Sequence, residues 1–237
     1  METRNFTWRG YEWMTAERWG VIHPEKPWAW YDESCVNINA DDELELVVKH
    51  HPINIIDSAT DKVYTPQYGM GLVATTERNE QFRYGVYKWI ARMPKGANLW
   101  PALWMWSWTS WPPEIDVVEA WSNACGGYFH LPFHWNLQTN FHRSNAERNM
   151  AQRWSVFKSS GNPAKRFVEY TLVWEPTKLE FWYDGRLIRV VDDKEFMTYL
   201  RQNTERGMQV IMNLHPTQDF YAPHSNPLII KDFSYEK

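Results

Sequence analysis

What most constrains this chain is a recurring pattern. Short runs of alternating apolar and polar residues are each cut off by turn formers. Lys178-Leu179-Glu180-Phe181-Trp182-Tyr183 runs into Asp184-Gly185, a hairpin turn dipeptide, and Leu187 to Val191 returns from it. Tyr84 to Met93 alternates and stops at Pro94-Lys95-Gly96, and Phe167 to Trp174 stops at Glu175-Pro176. Leu44 to Lys49 follows Asp41-Asp42 as one strand after a turn, and Met208 to Leu214 and Leu228 to Tyr235 read as late strands. Strands at this spacing predict an all-β, antiparallel sandwich. One short helix fits within Lys194 to Arg206, and Gly126 to Asn162 reads as long loops with one extended piece, Leu137 to His142. Loops this long in a compact domain are usually functional.

Residues 1–237 fit a single domain, since sandwiches of this size are common as one unit, and the chain is long enough to build a core without disulfides. Cys35 and Cys125 are therefore expected to be reduced. A net charge of -4 gives no electrostatic footprint for nucleic acid or anionic lipid. No run is long enough to span a membrane as a helix, and Met1 to Met14 lacks a basic stretch followed by an apolar one, so no signal peptide is visible. The unusual count is 16 Trp in a chain whose mean hydropathy is -0.61. Most of these rings are expected to pack the core, and the remainder are a platform for the C–H faces of sugars.

The segment carrying chemistry is Glu114-Ile115-Asp116-Val117-Val118-Glu119. Side chains of a strand alternate between faces, so Glu114 and Asp116 share one face. Strict alternation sends Glu119 to the other, and one extra residue, a β-bulge, brings it back. Carboxyls gathered on one face repel one another. Retaining glycosidases give them a use, needing two about 5–5.5 Å apart, one as nucleophile and one as acid/base. By spacing alone, a solvated acidic face fits as well.

The flanks decide between these. Trp100-Pro101-Ala102-Leu103-Trp104-Met105-Trp106 followed by Pro113 to Glu119 resembles the signature region of glycoside hydrolase family 16. Tyr84 to Gly96, Tyr68 to Leu72, Phe167 to Trp174, Phe181 to Gly185, Met212 to Leu214 and Ile230 to Tyr235 are similar to further segments of that family, in the same order. The resemblance implies a β-jelly-roll of the concanavalin A-like type, with Glu114 as nucleophile, Glu119 as acid/base and Asp116 as the assisting carboxyl. It implies the bulged form found in laminarinases, agarases, porphyranases and carrageenases. Pro113 replaces the family's usual Gly and Lys88 a frequent Glu, while His142, then His134, best match the His that follows the acidic strand.

The implied activity is retaining endo-hydrolysis of a β-1,3-glucan, with a marine galactan as the alternative substrate and a lectin or transglycosylase as the rival roles. Trp100, Trp104 and Trp106 share parity and are candidates to stack sugar rings, with Trp111, Trp121 and Trp135 as outer subsites. Arg143, Arg148 and Arg153 are either a solvated face or a site for sulfate esters, and Asn213 matches a family core position. The expected partner is a polysaccharide, acted on by a monomer, with no metal, cofactor, nucleic acid or membrane involved.

Overall fold

The structure, a computed structural model, describes residues 4–17, 20–22, 27–57, 61–79, 82–95, 98–120, 137–142, 163–217 and 226–237, with residues 57 and 137–142 as backbone alone. The amino-terminal half holds β1 (Asn5–Trp8), β2 (Tyr11–Met14), β3 (Ala29–Tyr31), β4 (Val36–Ile38), β5 (Leu44–Leu46), β6 (Val48–His50), β7 (Ile55–Asp57), β8 (Lys62–Tyr64), β9 (Tyr68–Met70) and β10 (Leu72–Thr75). The rest holds β11 (Gly85–Arg92), β12 (Leu99–Ser107), β13 (Glu114–Ala120), β14 (Leu137–His142), β15 (Val168–Glu175), β16 (Lys178–Tyr183), β17 (Arg186–Val191), α1 (Lys194–Asn203), β18 (Met208–Pro216) and β19 (Leu228–Glu236).

Two seven-stranded sheets face each other, one ordered β1-β2-β10-β18-β12-β13-β14 and the other β17-β16-β15-β11-β19-β5-β4. This is the expected antiparallel sandwich. Alternation in β11 explains how it closes: Tyr87, Trp89 and Ala91 are fully buried, while Lys88, Ile90 and Arg92 between them keep some exposure. Trp13 from the first sheet meets Phe233 from the second edge-on at 5.5 Å, a favoured arrangement for aromatic rings in a core. β18 is buried at every position, as befits the central strand of the first sheet.

Two features differ from what alternation predicts. Leu44 to Lys49 is not one strand. Leu44 and Leu46 pair with β4 and β19 in the second sheet, whereas Val48 and His50 pair with β9 in a small third sheet. The break at Val47 is a change of partner, which alternation cannot register. A hairpin that the sequence pattern does not announce joins β1 and β2, turning at Arg9-Gly10 with φ of 52° and 79°. The helix begins where expected, its first turn capped by the Asp193 carboxylate accepting from the Phe196 N–H at 2.7 Å. β14 matches the extended piece expected within the long loops, and the remainder of 126–162 lies outside the described residues. Cys35 is a free, buried thiol that burial pushes up to about 12, and Cys125 lies outside the described residues.

Asp32 follows β3 of the small sheet and is 3% exposed. Its carboxylate accepts from the Ser34 N–H at 2.9 Å and from His51 Nδ1 at 2.6 Å. Burial alone would raise its pKa, but these hydrogen bonds outweigh it and hold the carboxyl below the ordinary range. A depressed folded-state pKa stabilises the fold above the unfolded value, and that contribution fades as pH falls through the folded one. Asp32→Asn is therefore expected to cost about 1–3 kcal/mol at pH 7. The deficit should shrink below about pH 4. Urea unfolding of both proteins at pH 7 and pH 3 checks this, and an equal deficit at both would refute it.

Candidate functional site

The site is built on β13. Its ladder with β12 pairs Trp106 with Glu114, Met105 with Ile115 and Trp104 with Asp116, then shifts register and pairs Leu103 with Val118 and Ala102 with Glu119. Val117 has no partner there, and the ladder to β14 shifts over the same stretch, pairing Asn140 with Asp116 and Gln138 with Glu119. This is the bulge the alternation required. Directly paired residues share a face, so Glu114, Asp116 and Glu119 lie on the face that carries Trp100, Ala102, Trp104 and Trp106. Ile115 and Val118 pair with Met105 and Leu103 and go to the core, each fully buried.

The carboxyls differ in exposure. Asp116 is 2% exposed, Glu119 is 9% exposed and Glu114 is half-buried. Two indoles aim at the outer pair: Trp100 Nε1–H donates to Glu119 Oε1 at 3.0 Å, and Trp111 Nε1–H donates to Glu114 Oε2. Each fixes one carboxylate oxygen. A third indole, Trp104, donates to Asn213 Oδ1 at 2.7 Å. Asn213 lies one strand further along the row that holds Ala102 and Glu119, so its family-matched position falls at the site.

Trp100 and Trp104 are half-buried and present part of a ring on this face. Trp106, expected to serve with them, is only 3% exposed, and its Nε1–H is taken by Gln209 Oε1 at 2.6 Å. It supports Trp104, whose ring centroid is 6.2 Å away, and offers little face to a sugar. His142 is placed directly opposite Glu114 in the β13–β14 register. Trp121, His134, Trp135, Arg143, Arg148 and Arg153 lie outside the described residues.

Sequence reasoning missed His215. It pairs with Trp100 across β12 and β18, is 4% exposed, and lies with its ring centroid 6.0 Å from Trp100 and 5.9 Å from Trp28. Its Nδ1 donates to the Pro216 carbonyl at 2.6 Å. Counting by twos from Asn213 would have found it, since 213 and 215 share a face of one strand. Among the described residues, no cluster of three or more His, Cys, Asp or Glu is placed to hold a metal ion, and no helix is long and apolar enough to cross a membrane.

Comparison with known proteins gives the family and the fold. The family "Glycosyl hydrolases family 16" matches residues 26–227. The chain belongs to glycosyl hydrolase family 16. Within curated proteins it is 32% identical over 131 residues to a beta-1,3-glucan-binding protein of Penaeus monodon, covering 49% of this chain and 34% of that one. It is 25% identical over 168 residues to glucan endo-1,3-beta-glucosidase A1 of Niallia circulans, covering 62% of this chain and 22% of that one. The matches thus span about a third and about a fifth of those relatives' lengths. The fold is shared with the catalytic domain of an endo-1,3-beta-glucanase (laminarinase) from Thermotoga petrophila, with a TM-score of 0.68 and 18% identity over 95% of this chain and 98% of that one. The family 16 fold is a jelly-roll, and the two facing sheets described above are its layers.

Proposed function

We propose that this family 16 chain is a retaining endo-β-glycanase whose substrate is a β-1,3-glucan. Glu114 is the nucleophile, Glu119 the acid/base, and Asp116, between them on the same face, orients its neighbours. The single observation that carries the reading is the bulge at Val117, which keeps Glu119 on the face of Glu114 and Asp116 beside two half-buried indoles. In the first step Glu119 gives its proton to the leaving glycosidic oxygen as Glu114 attacks the anomeric carbon. In the second, Glu119 takes a proton from water, whose oxygen displaces Glu114. The Trp100 N–H on Oε1 holds the Glu119 carboxyl in place through both steps.

The glucan is favoured by the two curated relatives, whose names refer to beta-1,3-glucan and to a glucan endo-1,3-beta-glucosidase. The first of those names also supports a second reading, in which the same face binds glucan without cleaving it. A panel of laminarin, agarose, porphyran and carrageenans separates them. New reducing ends are expected from laminarin, with the first-formed anomer retaining configuration by proton NMR. Binding to laminarin with no new reducing ends from any polymer would replace the hydrolase with the binding protein.

A further inference from the structure

The bulge that aims Glu119 creates a local problem. Val117 has no ladder partner on either neighbouring strand, yet it is fully buried. A buried backbone carbonyl without a hydrogen bond costs about 1–3 kcal/mol. The partner comes from the opposite sheet: Tyr183, at the end of β16, donates its hydroxyl to the Val117 carbonyl at 2.8 Å. Tyr183 itself is 1% exposed and is held edge-on against Tyr170, with ring centroids 4.9 Å apart. Tyr170 pairs with Trp89 on one side and Tyr183 on the other, so the donor stands on a rigid row of buried rings.

We propose that Tyr183 is a positioning residue, a clamp reaching across the sandwich that fixes the bulge and through it the aim of Glu119. This rests on the reading of Glu119 as acid/base. The clamp works at any ordinary pH, because burial pushes the Tyr183 phenol well above its usual range and the nearby Tyr170 and Glu119 add to the effect. The hydroxyl therefore stays a donor. Tyr183 touches no substrate. It acts by denying the bulge other arrangements, in which the carbonyl would turn to find another donor and rotate the next peptide units.

The test is Tyr183→Phe, which removes one oxygen and keeps the ring. Tyr235→Phe serves as control, since Tyr235 also donates to a backbone carbonyl, Tyr84, at 2.8 Å but stands three strands along the second sheet from β16. Two readouts are taken. With glutamate carrying carbon-13 in the carboxyl, the Glu119 resonance is assigned by its loss in Glu119→Gln and titrated. With laminarin, kcat and KM are measured. Tyr183→Phe is expected to move the Glu119 midpoint by about half a unit or more and to lower kcat about ten-fold with KM nearly unchanged. Tyr235→Phe should lose stability without either effect. A Tyr183→Phe protein in which the Glu119 titration is unmoved overturns the clamp. If the wild type cleaves no glycan, the hydrolase reading fails, while the titration still decides the clamp. Should Tyr183→Phe fold poorly, Tyr183→His, which keeps a donor on a shorter ring, is expected to restore the wild-type Glu119 midpoint in part, and failure to do so counts against the clamp.

Discussion

Glu119→Gln is expected to keep its fold and lose about 10²–10⁴-fold in kcat on laminarin, the usual worth of general acid–base help. Gln fills the same space and still accepts from the Trp100 indole on its amide oxygen, so the 3.0 Å contact survives and only the proton is gone. Glu114→Gln should lose more, beyond about 10⁴-fold, because the covalent route disappears with the nucleophile. The two are told apart by the leaving group. An oligoglucoside of 2,4-dinitrophenol departs without protonation, so Glu119→Gln should pass the first step at near wild-type rate and stall at the second. Intact-protein mass spectrometry should then show a glycosyl adduct on Glu114, and azide should release it as a β-glycosyl azide. Glu114→Gln should show neither adduct nor rescue. Equal slowing of Glu119→Gln on both substrates, with no adduct, would remove the acid/base role. Normal turnover in either variant would remove the whole assignment.

How far the amino-acid sequence reveals the fold and the site depends on how local each cause is. The hairpin of β16 and β17 is legible because Asp184-Gly185 supplies its own positive φ, 50° and 70°, whatever the rest of the chain does. The bulge is legible for a different reason: the acidic residues cannot share a face under a period of two without it, so chemistry forces the geometry. Partner choice is not legible. Val47 looks like mid-strand, but Leu46 and Val48 serve different sheets. Nor are the contacts that support the site. Tyr183 follows Val117 by 66 positions and meets it only through the layer spacing of the sandwich, and Trp106 loses its expected role to Gln209, a partner 103 positions away. Parity names the face of a side chain, while the depth of its burial is decided by whatever packs over that face.

Changing the length of β13 tests the placement of the carboxyls most sharply. Deleting Val117 should leave Glu114-Ile115-Asp116-Val118-Glu119 in strict alternation, with all carboxyls still on one face. The observed registers show why. With Val117 gone, Trp104, Leu103 and Ala102 meet Asp116, Val118 and Glu119 one to one on β12, and Asn140 and Gln138 meet Asp116 and Glu119 with one residue between on both strands of the other ladder. The deletion closes both ladders and straightens the strand. It takes away a buried side chain and the carbonyl that Tyr183 holds, and it re-aims Glu119 by losing the local twist of the bulge. Stability is expected to fall by about 1–3 kcal/mol, and kcat by about 10²-fold through misplacement. Inserting one alanine after Val117 should do more, because both arrangements open to the longer strand fail. If it alternates strictly, Glu119 returns to the acidic face one residue pair too far along, about 6.5–7 Å further from Glu114. If it keeps a one-residue bulge, Glu119 turns toward the core, where an unpaired carboxylate costs about 3–5 kcal/mol. Neither leaves two carboxyls flanking one bond, so activity should fall to the level of Glu119→Gln. Urea midpoints and laminarin kinetics on the pair decide the matter. Face and spacing together govern the chemistry if the shorter strand keeps more activity than the longer one. The reverse order would mean that the bulge itself, and not the placement it restores, is what the reaction requires.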